Sequence, residues 1–249
     1  MIKAGIARLF NSLGYRIVRT ELGFSRPELE TYQQVQEYTA TTIERLVGLV
    51  DAVRYVSANR IEGDVVECGV WRGGSIMAAM HALIKMGDLT RHFHLFDTFE
   101  GMTEPTEKDV MYDGQAAKSL IDRDKATFGQ DHNWCVASLD DVRKNVLSTG
   151  YPKERVHFIQ GKVEQTIPQH APAKIALLRL DTDWYDSTAH ELIHLYPRLT
   201  AQGVLIIDDY GHWEGARQAT DEYFAKQKLQ PLFCRMDYSA RMAIKPSEL

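Results

Sequence analysis

Two groups of aspartates follow apolar runs in this chain of 249 residues. Asp181 comes directly after the run Ile175–Leu180, and Asp208 and Asp209 come directly after the run 203–207. Apolar runs of this length that end in a turn signal are typical of buried parallel strands. Ligands bind where the carboxyl ends of such strands meet. The spacing therefore predicts that these three carboxylates converge at one edge of a sheet.

Three carboxylates that lie so close together need a cation or a shared proton. Carboxylate oxygens are hard ligands, which suit Mg²⁺, Ca²⁺ or Mn²⁺ better than a metal that prefers thiolates. We therefore predict that Asp181, Asp208 and Asp209 bind a divalent cation. The simpler alternative is that strand-end aspartates only cap the helices that follow them.

A glycine-rich loop follows an earlier apolar run and has the sequence Glu-Cys-Gly-Val-Trp-Arg-Gly-Gly-Ser over residues 67–75. Its G-x-x-x-G-G spacing differs from the G-x-G-x-x-G pattern that indicates a bound pyrophosphate. Gly69 would let the backbone approach a ligand closely. Glu67 suits a ligand that carries a positive charge or hydroxyls, and Ser75 suits a helix cap. An ordinary strand-to-helix turn would need the same residues.

Asp97 ends the next strand of the chain, where an acid commonly binds ribose hydroxyls. Gly161 follows a later strand and is a candidate for contact with adenine, although a helix-starting turn would explain it equally well. An adenosine site without a phosphate-binding loop favours S-adenosylmethionine over NAD or ATP. We therefore predict S-adenosylmethionine as the cofactor.

The order of predicted elements indicates an α/β fold. Strands alternate with helices through most of the chain, near residues 65–68, 92–96, 156–160, 175–180 and 205–207. This alternation predicts a doubly wound, mostly parallel sheet. The last two strands, near 231–236 and 242–245, are separated by a gap too short for a parallel crossover, so they should form an antiparallel hairpin. A seven-stranded sheet with such a hairpin fits the class I methyltransferase arrangement, which is Rossmann-like.

Composition excludes several classes of protein. The net charge of −5 gives no electrostatic reason to expect a nucleic-acid partner. The three cysteines, Cys68, Cys135 and Cys234, are too widely spaced for a disulfide framework or a CxxC metal site. No apolar stretch reaches the roughly 20 residues needed to span a bilayer. We therefore expect a cytoplasmic protein with reduced thiols.

The first 60 residues are predicted to form a helical extension or lid before a methyltransferase domain over residues 61–249. Apolar residues recur there at helical spacing, with basic residues among them; they are Ile2, Ile6, Leu9, Phe10, Leu13 and Ile17. A stripe this apolar should be buried at a subunit contact, so we expect a homodimer or a larger homo-oligomer. A basic amphipathic helix of this kind can also lie on a membrane surface.

Four motifs of the chain resemble the macrocin O-methyltransferase family, the TylF-type group that includes mycinamicin and novobiocin sugar-tailoring enzymes. They are the loop 67–75, Phe-Asp-Thr-Phe-Glu-Gly-Met at 96–102, Leu-Asp-Thr-Asp-Trp-Tyr-Asp-Ser-Thr at 180–188 and Ile-Asp-Asp-Tyr-Gly at 207–211. The resemblance covers roughly residues 35–245, and the motifs occur in the family's order. The glycine motif and the acidic pair are also similar to those of metal-dependent catechol and caffeoyl-CoA O-methyltransferases.

The resemblance implies a class I methyltransferase fold, S-adenosylmethionine as methyl donor, and Mg²⁺ or another divalent cation. It matches three groups of residues to roles: Asp181, Asp208 and Asp209 to the metal ligands, Glu67, Gly69, Ser75 and Asp97 to the donor site, and Asp183 to the general base. His212 lies close to the acids in the sequence, and it is the alternative base.

The leading functional hypothesis is a metal-dependent O-methyltransferase that acts on a hydroxyl of a sugar or glycosylated natural product. A phenol or catechol O-methyltransferase on the same scaffold is the nearest alternative. An NAD-binding Rossmann oxidoreductase would need a different glycine spacing. A non-catalytic scaffold that binds a partner through its N-terminal helix would have no need of the acids.

Overall fold

The computed structural model describes residues 10, 12–13 and 23–247. Seven strands in this part of the chain form one sheet: β1 Asp64–Cys68, β2 Phe93–Asp97, β3 Val156–Gln160, β4 Ile175–Leu180, β5 Leu199–Ile207, β6 Cys234–Arg235 and β7 Arg241–Ile244. Their order across the sheet is β3-β2-β1-β4-β5-β7-β6. Strands β1 to β5 run parallel, and β7 runs antiparallel to both β5 and β6. The predicted mostly parallel sheet with a C-terminal antiparallel hairpin is therefore confirmed.

Helices cover both faces of this sheet. In the described ranges they are α1 Arg26–Val35, α2 Ile43–Ala58, α3 Gly74–Met86, α4 Ala117–Phe128, α5 Leu139–Leu147, α6 Val163–Thr166, α7 Tyr185–Leu195 and α8 Glu214–Gln227. Successive residues of one strand belong to different apolar clusters, because side chains alternate between the two faces of a sheet. Leu177 packs with residues of α1, α2, α3 and α5, whereas its neighbour Leu178 packs with residues of α6, α7 and α8.

Strand register brings the ends of the three central strands to one edge of the sheet. Cys68 of β1 pairs with Leu180 of β4, and Leu180 pairs with Ile207 of β5. The residues that follow continue the ladder, because the Asp181 amide donates to the Cys68 carbonyl at 2.8 Å and the Asp208 amide donates to the Leu180 carbonyl at 2.9 Å. The first two acidic positions predicted from the sequence therefore lie on adjacent strands.

Two predicted strand boundaries were wrong. β5 begins at Leu199 rather than near 205, because Leu199 pairs with Ile175 before an irregularity in the register. β6 contains only Cys234–Arg235 rather than 231–236. A proline at position 231 has no amide hydrogen to donate to a ladder, which favours a late start for this strand.

The helices near the N-terminus belong to the main core. Val35 of α1 and Leu46 of α2 pack in the same apolar cluster as Leu83 of α3. The predicted amphipathic stripe lies outside the described residues except for Phe10 and Leu13. Homo-oligomer formation, and the division of the chain near residue 60, therefore stay predictions. Among the described helices, none combines the length and the apolarity that crossing a bilayer requires.

Candidate active site

The three predicted metal ligands converge at the carboxyl edge of the sheet. Asp181, Asp208 and Asp209 each offer a carboxylate oxygen, and these oxygens lie within 4.8 Å of one another. Asp208 and Asp209 are buried, whereas Asp181 is partly exposed. All three line a cavity of about 230 Å³ that opens at this edge. The convergence predicted from the sequence is therefore present in the structure.

A buried arginine neutralises part of this acidic cluster. Arg179 of β4 is 3% exposed; its Nη1 lies 2.8 Å from Asp181 Oδ2, and its Nη2 lies 2.6 Å from Asp208 Oδ1. The same guanidinium also pairs with Glu67 of β1. Arginine suits this position because its fixed fork of donors can bind several carboxylates at once. The protein itself thus supplies one of the cations that the acidic cluster needs.

A second arginine reaches the cluster from helix α2. Arg45 pairs with Asp208, and its Nε lies 2.9 Å from Asp237 Oδ2. Neither arginine was predicted as part of the site. Arg179 could have been recognised in the sequence, because it is a charged residue inside an otherwise apolar strand. Arg45 could not, since its partners are far away in the sequence.

The cluster contains more carboxylates than arginines, and the oxygens of its three aspartates suit a hard divalent cation. Asp209 makes no ion pair with an arginine among the described residues. Burial raises its pKa well above the ordinary value, and the negative charges of Asp183 and Asp208 raise it further. Burial also raises the pKa of Asp181, although Arg179 opposes that shift. A cation among oxygen ligands would relieve this repulsion. Each carboxylate oxygen can accept more than one contact, so the arginine pairs do not exclude it.

Asp183 lies beside the cluster in an unusual backbone conformation. Its φ is +66°, in the left-handed region that non-glycine residues rarely adopt. Its Oδ1 accepts a hydrogen bond of 2.7 Å from the Trp213 indole, and its amide donates to Asp209 Oδ2 at 3.2 Å. Burial raises the pKa of Asp183 to about 7, with a further contribution from the charge of Asp181. This carboxyl therefore lines the cavity as a candidate acid or base.

His212, the alternative base, also lines the cavity. Its Nδ1 lies 3.2 Å from the Tyr238 hydroxyl, and its ring contacts Trp213 edge-on at 4.9 Å between centroids. Burial lowers its pKa, and the positive charge of Arg45 lowers it further. His212 therefore contacts aromatic rings and a hydroxyl, whereas Asp183 lies beside the acidic cluster.

Gly69 and Gly161 are placed where the donor site was predicted. Both line the cavity. Gly69 has a φ of +82°, and a Cβ there would lie 1.9 Å from the carbonyl oxygen of Asp181, so only glycine fits between the ends of β1 and β4. Gly161 donates its amide to the Asp97 carbonyl at 3.0 Å, which joins the ends of β3 and β2.

A hydrogen bond between Glu67 and Ser75 links the two ends of the glycine loop. Glu67 is 1% exposed, so it lies behind the cavity wall rather than in it. Its Oε1 accepts a hydrogen bond of 2.6 Å from the Ser75 hydroxyl, and its Oε2 has no hydrogen-bond partner in the described part of the chain. Ser75 lines the cavity, but it does not cap the helix as predicted, because Gly73 occupies the N-cap position of α3.

Asp97 organises the loop that was predicted to hold the donor. Its Oδ2 accepts from the amides of Val70 and Trp71 at 2.6 and 2.9 Å, and its Oδ1 accepts from the Phe99 amide at 2.7 Å. The side chain also lines the cavity. A carboxylate has about four acceptor positions, so Asp97 can bind these amides and still accept from a ligand.

Replacing Asp97 with alanine should weaken donor binding by about 1–3 kcal/mol, because the loop amides and the ligand would both lose an acceptor. Calorimetric titration with S-adenosylhomocysteine measures this change directly. Exposed Asp113, which accepts hydrogen bonds from the amide and side chain of Gln115, provides a matched aspartate-to-alanine control. Equal affinity of Asp97→Ala and wild-type protein would exclude the role of Asp97.

The segment 98–115 contacts residues Tyr185 and Trp213 near the site. Asp109 is fully buried and accepts from the Tyr185 amide at 2.8 Å, at the first turn of α7. Met111 forms a bridge with Trp213, and Lys108 lies over the Tyr185 ring. These contacts join residues that are distant in the chain, so no local pattern in the sequence reports them.

A family model described as macrocin-O-methyltransferase (TylF) matches residues 20–243. The 8-demethyl-8-(2,3-dimethoxy-alpha-L-rhamnosyl)-tetracenomycin-C 4'-O-methyltransferase of Streptomyces olivaceus is 36% identical over 75% of this chain and 67% of its own length. Demethyldecarbamoylnovobiocin O-methyltransferase of Streptomyces niveus is 34% identical over 76% and 68%. Mycinamicin III 3''-O-methyltransferase of Micromonospora griseorubida is 32% identical over 82% and 78%.

A solved structure gives the same result for the fold. The structure of the O-methyltransferase NovP superposes with a TM-score of 0.72 at 29% identity, covering 84% of this chain and 83% of its own. The match confirms the class I, Rossmann-like methyltransferase fold predicted from the order of the elements. The chain belongs to the TylF macrocin-O-methyltransferase family and is an S-adenosylmethionine-dependent O-methyltransferase.

Proposed function

We propose that the protein is a metal-dependent O-methyltransferase that acts on a sugar hydroxyl of a glycosylated natural product. The observation that carries the metal dependence is the convergence of carboxylate oxygens of Asp181, Asp208 and Asp209, which line the cavity, within 4.8 Å of one another. The excess of acids over arginines leaves negative charge there for a divalent cation.

The acceptor hydroxyl would bind beside these three aspartates, next to the carboxylate of Asp183. A divalent cation held by the three aspartates would supply positive charge that makes the hydroxyl easier to deprotonate. Asp183 would accept the hydroxyl proton as the oxygen attacks the methyl carbon. The bond from that carbon to the donor sulfur breaks in the same step, and the donor leaves as a neutral thioether. The Trp213 indole, which donates to Asp183 Oδ1, keeps this carboxylate in place.

The glycosylated acceptor is supported by the relatives and by aromatic residues beside the cavity. The names of three relatives describe methylation of a rhamnosyl-tetracenomycin, of demethyldecarbamoylnovobiocin and of mycinamicin III. Tyr112 and Tyr238 are 59% and 48% exposed, and their rings pack around His212, which lines the cavity. Exposed aromatic rings of this kind suit the apolar body of a glycoside, while the acids that line the cavity suit its hydroxyls.

A screen with isotope-labelled S-adenosylmethionine tests this function. Sugars, aryl glycosides and free phenols or catechols should be compared as acceptors, each with Mg²⁺ and with an excess of chelator. We expect label in glycosides, lost on chelation and restored by Mg²⁺. Label only in the free phenols would favour the phenol O-methyltransferase instead, and full transfer after exhaustive chelation would exclude metal dependence.

A further inference from the structure

Thr182 lies between Asp181, the proposed metal ligand, and Asp183, the proposed base. Its side chain contacts a buried glutamate. Thr182 Oγ1 donates a hydrogen bond of 3.0 Å to Glu191 Oε1 on helix α7. Glu191 is fully buried, and its Oε2 has no hydrogen-bond partner among the residues described. Burial raises the pKa of Glu191 well above its ordinary value, and the negative charge of Glu164 raises it further. No step of the proposed reaction uses it.

The backbone around Thr182 needs this kind of support. Asp183 has a φ of +66°, a strained conformation for a non-glycine residue that persists only when its surroundings fix it. Helix α7 fixes residue 182 from the other side. The Trp184 amide donates to the Thr182 carbonyl at 2.7 Å, and the Ser187 hydroxyl lies 3.4 Å from the same oxygen.

We propose that Glu191 and Thr182 form a positioning pair that holds Asp183 in its left-handed conformation and keeps its carboxylate in the cavity. Through this pair, helix α7 restrains the turn between Asp181 and Asp183. The consequence for catalysis rests on the proposed role of Asp183. The structural claim, that the pair sets the position of the Asp183 carboxylate, does not.

The Trp213 indole offers a readout that needs no acceptor. The chain has four tryptophans, and in the described part of the structure only the Trp213 indole donates to Asp183. Its indole signal in a ¹⁵N–¹H correlation spectrum, assigned with Trp213→Phe, should therefore move when the carboxylate moves. Trp134 donates to Asp124 instead and serves as an internal reference.

The variants test the hydrogen bond in both directions. Thr182→Val and Glu191→Met remove it and should shift the Trp213 signal while the Trp134 signal stays in place. Thr182→Ser keeps the hydroxyl, and Glu191→Gln keeps a side chain of the same size with an oxygen that can accept at Oε1. Both conservative variants should give the wild-type spectrum. An unmoved Trp213 signal in folded Thr182→Val would overturn the proposal, even if Glu191→Met fails to fold.

Steady-state kinetics with an aryl rhamnoside as acceptor distinguish a misplaced Asp183 carboxylate from a general loss of stability. We expect Thr182→Val and Glu191→Met to lower kcat about 10–100-fold, as a misplacement of about 1 Å can do, with unchanged affinity for S-adenosylhomocysteine. The double variant should be no slower than the slower single variant, because both remove one interaction. Losses that multiply would contradict a shared role. If Asp183→Asn keeps its kcat, the assignment of the base fails, while the Trp213 signal still decides whether the pair positions the turn.

Discussion

Replacing Asp183 with asparagine should lower kcat by about 10²–10⁴-fold, the usual cost of losing a general base. The substitution keeps the size of the side chain and an oxygen that can accept from the Trp213 indole. It removes the ability to take a proton, together with the negative charge of the ionised carboxylate. We therefore expect nearly unchanged affinity for S-adenosylhomocysteine and for the cation. Steady-state kinetics combined with calorimetric titration checks both expectations.

Asp186 is the matched control for this substitution. It lies three positions further along the chain in the first turn of α7, and it is exposed. Asp186→Asn should retain wild-type kinetics. If Asp183→Asn retains nearly full kcat while His212→Ala abolishes it, then His212 is the base and the assignment to Asp183 is wrong.

Replacing Arg179 with methionine should lower the free energy of unfolding by about 3–5 kcal/mol, the usual cost of removing one partner from a buried ion pair. The substitution would leave Glu67, Asp181 and Asp208 without the guanidinium that contacts all three. Urea unfolding measures the loss. Added Mg²⁺ should restore part of it in the variant, because a ligand that binds the folded state stabilises that state.

Arg54 provides a surface comparison for Arg179. It pairs with Asp51 at 3.1 Å, and the two side chains are 42% and 58% exposed. Exposed pairs of this kind contribute about 0–1 kcal/mol, so Arg54→Met should change stability little. If Arg179→Met also lost less than about 1 kcal/mol, Arg179 would not be the counter-charge that holds the acidic cluster together.

The position of the acids could be predicted from the sequence because it depends on local patterns. Apolar runs before Asp181 and Asp208 marked buried parallel strands, and parallel strands of one sheet share a carboxyl edge. The gap between the last two strands likewise predicted a hairpin, and β7 pairs antiparallel with β6. Chain direction and spacing were sufficient for these features.

The charge balance and the hydrogen bonds of the site could not be predicted in this way. Arg45 meets Asp208 across 163 positions of the sequence, so no local pattern reports the contact. Asp97 was expected to bind ribose, but the structure shows that its carboxylate also binds three loop amides. Glu67 lies in the predicted strand near residues 65–68, yet its side chain binds Arg179 and Ser75 and does not line the cavity.

Metal binding by the three aspartates is the central claim, and titration calorimetry of chelator-treated protein with Mn²⁺ tests it most directly. The protein should be saturated with S-adenosylhomocysteine, and Asp208→Asn should be titrated alongside the wild type. We expect a single ion per chain in the wild type and a large loss of affinity in the variant, because the substituted amide would offer one neutral oxygen in place of a carboxylate. An absence of binding to the wild type, or equal binding to both proteins, would contradict the account.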